Sequence, residues 1–140
     1  MRKTIRSLSL AFTAGVIGAF IYSVTAHFFG AWGVTEALGV KLAYKLTPES
    51  LYPRLVWGGL FGLLLLVPVL EKWYCIYRGL LLGVLLSLIH LFIIFPYMSH
   101  KGFLGVKISL SSPAPIFVVF YNALWGIVAA FWLDYTRERV

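Results

Sequence analysis

The chain has 140 residues, 61% hydrophobic and only 12% charged, with a mean hydropathy of +0.90; soluble domains carry roughly 25% charge, so a soluble globular domain is excluded and a membrane protein is indicated. At this length there is no room for a separate soluble catalytic unit. The formal charge of +7 would suit nucleic acid in a soluble chain, but here the basic residues fall between apolar runs, where they serve as topology signals and head-group contacts.

Four stretches, 8–29, 48–70, 76–97 and 114–133, are long and apolar enough to cross a hydrocarbon core of about 30 Å at about 1.5 Å per residue. The first has a rival reading as a signal peptide, because Arg2, Lys3 and Arg6 precede an apolar run ending in Val24-Thr25-Ala26. That run exceeds the usual signal core of roughly 7 to 15 residues, which favours a retained helix. Between the first two spans, Val34, Leu38, Leu42 and Leu46 recur every four residues with Lys41 and Lys45 among them. Either a short interfacial helix over 34–46 or an ordinary ordered loop fits this spacing, with Trp32 and Tyr44 suited to the interface.

The second span has a legible start. Thr47 can cap free N–H groups, Pro48 suits the first helical position and Glu49 complements the positive helix end. Pro68 should bend its far end. Ser111-Ser112-Pro113 reads as the cap of the fourth span. With four spans, Arg2, Lys3, Arg6, Lys72, Arg78, Arg137 and Arg139 share one side, against Lys41, Lys45, Arg54, Lys101 and Lys107 opposite. The larger group, led by the cluster at the first helix, places both termini in the cytoplasm.

The two halves share an order of landmarks that points to a duplicated helix hairpin. Arg6 opens the first span as Arg78 opens the third, Gly39-Val40-Lys41-Leu42 echoes Gly105-Val106-Lys107-Ile108, Thr47-Pro48 matches Ser112-Pro113, and Trp57-Gly58 matches Trp125-Gly126. Two-span units insert with the same orientation, so the halves would be parallel repeats about an axis along the membrane normal, with Arg54 corresponding to Asn122 on the seam.

Small residues mark the packing faces, since lipid supplies no hydrophobic drive between helices and close backbone approach must do the work. They are Ala11, Gly15 and Gly18 in the first span, Gly58 and Gly62 in the second, Gly79, Gly83 and Ser87 in the third, and Gly126 and Ala130 in the fourth. Extending these stripes by about one turn reaches Tyr22, Arg54, His90 and Asn122, one polar residue per helix, all at roughly 9 to 12 Å depth by the rise per residue. Polar groups at such depth need partners and are candidates for function. Arg54 could bond a carboxylate, phosphate or quinone oxygen, Asn122 and Tyr22 could orient it, and His90 could exchange a proton. The plainer alternative is structural: Arg54 snorkelling to head groups, Asn122 and His90 joining helices.

Other chemistry is disfavoured. His27 and His90 lie at different depths, which argues against haem or another tetrapyrrole, and His100 falls in a loop. Cys75 is the only cysteine, and no Cys/His cluster suggests a metal. Glu36, Glu49, Glu71, Asp134 and Glu138 sit in loops or at helix ends, so no carboxylate occupies a span centre as proton-coupled transport often requires. No nucleotide-binding Gly-rich loop, His-Glu zinc motif or nucleophile elbow is present, which argues against an enzyme.

The run Gly79-Leu80-Leu81-Leu82-Gly83, continuing through Leu88-Ile89-His90 to Phe95-Pro96, then Phe120 to Trp125 and the Arg137-Glu138-Arg139 end, resembles the YagU-like family of uncharacterised bacterial inner-membrane proteins. The first span, with Ala14-Gly15-Val16-Ile17-Gly18-Ala19-Phe20, is similar to that family's opening span. The resemblance covers most of the chain through weak, apolar motifs. The family has a longer first outer loop and a further His where this chain has Tyr121-Asn122. It implies a polytopic protein of the bacterial cytoplasmic membrane, supports His90 as a candidate position and supplies no catalytic residues.

The sequence thus leads to an all-α polytopic membrane protein, one domain of four transmembrane helices arranged as two hairpin repeats, without a cofactor. The leading expectation is a non-enzymatic accessory subunit or homo-oligomer that meets other membrane subunits through its Gly-rich faces. The alternative is a small channel, transporter or lipid, quinone or anion binder built on Tyr22, Arg54, His90 and Asn122.

Overall fold

The computed structural model describes residues 2–41, 44–98, 100, 102, 104, 107 and 113–138. Leu42, Lys101, Gly105-Val106, Ile108, Ser111-Ser112 and Arg139 of the sequence reading lie outside the described residues, as do the side chains of Glu71 and Glu138. The described secondary structure is helical: α1 (Arg2–Ala31), α2 (Val34–Ala37), α3 (Pro48–Gly62) with a tighter turn over Leu63–Leu66, α4 (Pro68–Glu71), α5 (Cys75–Ile89) widening over His90–Met98, and α6 (Ala114–Glu138). Among the described residues, three helices are long and apolar enough to cross a membrane: Arg2–Ala31, Cys75–Met98 and Ala114–Arg137.

The second stretch is interrupted. After Gly62 the chain tightens, Val67 turns extended with ψ 122°, and Pro68 starts the separate α4. Proline forces its predecessor out of the helical region, so the bend foreseen at Pro68 is a break one residue earlier. Its start is as the local chemistry requires, with Pro48 the first residue of α3 and the Thr47 N–H donating to Ser50 Oγ at 3.3 Å.

The connection after α1 is helical only over α2. Gly39 adopts φ +75°, its N–H reaches Glu36 O at 2.9 Å and the Val40 N–H reaches Thr35 O at 2.9 Å. This paired closure ends a helix at a left-handed glycine, so the four-residue periodicity of 34–46 does not continue as a helix. The chain turns inward instead, burying Val40 against the bundle, while Leu38 stays exposed.

The helices lie in a row, α3 against α1, α1 against α6 and α6 against α5; α3's continuation at Leu63–Leu66 also touches α5. Glycines set each contact. A Cβ on Gly15 would enter the Gly58 carbonyl, one on Gly62 the Ala11 carbonyl, one on Gly126 the Gly79 carbonyl, one on Gly83 would lie 2.6 Å from Asn122 O, and one on Gly18 2.7 Å from Trp125 O. Ala130 and Ser87 are buried as well. In α1 and α5 alike a small residue recurs every four positions, Gly15-Ala19-Ser23 and Gly79-Gly83-Ser87, and each serine Oγ donates to the carbonyl four residues back, at 2.8 and 2.7 Å. The matched tryptophans differ: Trp125 is buried, Trp57 exposed.

At the end that carries both the start of α1 and the end of α6, Arg78 of α5 pairs with Asp134 of α6. Arg78 is buried, one turn inside its helix, and its side chain crosses to the neighbouring helix instead of reaching outward.

Candidate functional site

Polar groups gather at the opposite end, where the inturned connection meets three helices. Tyr44 is the centre. Its hydroxyl accepts from Tyr22 of α1 at 3.3 Å, and its ring lies under the Arg54 guanidinium of α3, Cζ 4.1 Å from the centroid. His27 of α1 contacts the Tyr44 carbonyl through Nδ1 at 2.9 Å. A carbonyl only accepts, so His27 donates from Nδ1.

Tyr121 of α6 forms the floor. It is 1% exposed, edge-on to Tyr22 at 5.5 Å and to Tyr44 at 6.4 Å between ring centroids, and stacked on Phe117 at 6.1 Å. Arene edges carry partial positive charge and faces partial negative charge, so these edge-to-face contacts and the cation over Tyr44 are each attractive. Three buried side-chain polar atoms have no hydrogen-bond partner among the described residues: Nη1 of Arg54 and the hydroxyl of Tyr121 at this end, and Nε of Arg78 at the other. Leaving such a group unpaired costs about 1–3 kcal/mol, more when it is charged. Both groups at this end can donate, so an acceptor oxygen would satisfy either.

Of the four residues expected in one layer, Tyr22 and Arg54 come together, through Tyr44. Asn122 does not join them: buried at 6% exposure, it donates from Nδ2 to Ser87 Oγ at 3.3 Å and ties α6 to α5. His90 lies on α5 at the first wide turn, half-buried and edge-on to Phe95 at 5.5 Å. Arg54 and His90 are kept apart because α3 packs against α1 whereas α5 packs against α6.

Tyr44 and Tyr121 are the members that sequence reasoning missed. Tyr121 adjoins Asn122, and extending the Gly126 stripe by one turn or by one turn and a residue chooses between them. Tyr44 belongs to a connection, and no periodicity signals that a loop tyrosine enters a core. No three His, Cys, Asp or Glu side chains come together among the described residues. In comparisons with protein-family models, curated proteins and solved structures, nothing matches the chain.

Proposed function

We propose that the protein is a non-enzymatic, multi-pass membrane protein that holds a ligand through an acceptor oxygen, an oxyanion or a carbonyl such as a quinone's or a lipid's, between Arg54 and Tyr121. The unpartnered Arg54 Nη1 and Tyr121 hydroxyl, both buried beside Tyr44, carry this reading. A guanidinium offers a planar fork that suits oxyanions, and a phenol adds one directed donor. The glycine stripes at Gly15, Gly58, Gly62, Gly79, Gly83 and Gly126 are taken up by contacts within the chain. Association with other membrane subunits or a second copy would therefore use other surface, such as the exposed Val56, Trp57 and Leu60 of α3.

Within the same proposal, Pro48–Leu66 is a fourth span. Fifteen α-helical residues and four in the tighter turn extend about 30 Å at about 1.5 and 2.0 Å per residue, enough for a hydrocarbon core. We read the hairpins as repeats in the register that pairs Gly15 with Gly79, in place of Arg6 with Arg78, and Gly58 with Gly126, because Gly15 meets Gly58 as Gly79 meets Gly126; we read the membrane as a bacterial cytoplasmic one with both termini inside, in keeping with the basic cluster at α1 and the resemblance to the YagU-like family.

Native mass spectrometry of the protein in mild detergent tests the site. Wild type should carry a bound small molecule that Arg54→Ala and Tyr121→Phe each lose while Asn122→Ala keeps it. A ligand-free wild type, or retention unaffected by Arg54→Ala, would overturn the proposal.

A further inference from the structure

A second site lies at the other end of the bundle and stands independently of the Tyr44 cluster. A hollow of about 310 Å³ opens there between the start of α1, the tight turn after α3 and the end of α6, lined by Lys3, Thr4, Ser7, Leu8, Leu66 and Arg137. Its volume falls in the roughly 300–1,000 Å³ range of ligand pockets. We propose that this hollow seats a phosphate oxyanion, that of an anionic membrane lipid, with the head group at Lys3 and Arg137 and an acyl chain along Leu8 and Leu66.

The composition of the wall is the first reason. Two cations from opposite ends of the sequence share one concavity, and the described lining residues include no carboxylate. An anion can bridge two cations placed so. Thr4 and Ser7 stand three positions apart on α1, hence on one face, and add two hydroxyl donors beside the cations. The start of the 30-residue α1 lies at the same place and adds the positive end of its dipole.

The apolar part of the wall selects a lipid over free phosphate. Leu8 stands where the apolar run of α1 begins, and Leu66 is the last residue before the break at Val67. The lining therefore sets cations and hydroxyls beside two leucines. A free phosphate would use the polar residues alone, whereas a phospholipid matches both. Basic pockets between transmembrane helices take anionic head groups in this way.

The experiment uses the full chain in detergent and in nanodiscs, with native mass spectrometry reading lipid retention against phosphatidylglycerol, phosphatidylcholine and inorganic phosphate. Wild type should retain phosphatidylglycerol about ten-fold over phosphatidylcholine. Lys3→Gln and Arg137→Gln should each lower retention about five-fold, and the pair about 25-fold, with unchanged helical circular dichroism; Lys3→Arg should restore it. Equal retention of the two lipids, or retention indifferent to both substitutions, would overturn the site. Displacement of phosphatidylglycerol by millimolar inorganic phosphate would overturn the lipid assignment and make the hollow a soluble-phosphate site. Because neither Lys3 nor Arg137 touches the Tyr44 cluster, loss of ligand at Arg54 leaves this result unaffected.

Discussion

The indole Nε1 of Trp125 donates to the main-chain oxygen of Gly15 at 3.0 Å, joining α6 to α1 across 110 positions of sequence. The same Gly15 receives Gly58 from the other side, so three helices meet at one residue. Trp125→Phe keeps most of the ring volume and removes the donor. It should cost about 0.6–1.5 kcal/mol, read as a lower midpoint in SDS titration, with the α1–α3 and α5–α6 contacts intact by cysteine cross-linking. An unchanged midpoint would show that the bond contributes nothing to holding the hairpins together.

Glycine replacement should discriminate between a glycine packed on backbone and one packed on a side chain. Gly126→Ala drives a methyl into the Gly79 backbone, which cannot move without parting α5 from α6; a cost of about 1–3 kcal/mol is expected for such overpacking. At Gly59 the nearest atoms are the ring tip of Phe12, 2.6 Å from the added carbon, and that ring is partly exposed and free to swing. Gly59→Ala should therefore fall within about 0.5 kcal/mol of wild type, measured by the same titration.

Removing one partner of the Arg78–Asp134 pair strands a cation that is 2% exposed. Asp134→Ala should cost about 3 kcal/mol, the lower end for a broken buried pair, because the Asp134 side chain is 36% exposed. Replacing both, Arg78→Met with Asp134→Leu, should recover most of the loss, since the stranded charge is gone. Thermal unfolding of Arg78→Met, Asp134→Leu and the double variant closes the cycle; a double variant as unstable as Asp134→Leu would refute the account.

Tyr44→Phe and Tyr44→Leu separate its two roles. The first keeps the ring under Arg54 and loses the Tyr22 hydroxyl bond, at about 0.5–1 kcal/mol. The second also loses the cation over the ring and the edge contacts, for a total of about 2 kcal/mol. Amide exchange at Val40 should quicken slightly for the first and markedly for the second.

Local signals were readable where they depend on a few adjacent residues. Pro48 after Thr47 marks the start of α3, Pro113 precedes the start of α6, and Pro68 ends the preceding segment. Gly39 in the 34–46 repeat is the visible sign that the periodic pattern stops, and it separates the two readings that the four-residue spacing leaves open. The direction in which each member of the candidate layer faces was not legible. Gly15 faces α3 while Gly18, three positions on, faces α6, so a small-residue stripe served two neighbours and its extension did not name one meeting point. The Arg78–Asp134 pair was missed because each residue was read alone, as a helix opener and as a helix end. Tyr44 owes its place to a chain reversal at Gly39 and to partners on three helices, all non-local.

The wide turns of His90–Met98 carry Pro96, whose ring in an α-helix would strike the carbonyl four residues before it. The tight turn before the break has a wider consequence. Leu63–Leu66 touches α5 as well as α1, so the second and third segments meet beside the interruption at Val67 and Pro68. A change of length or volume in this turn would be felt in two hairpins at once, not only in the helix that carries it.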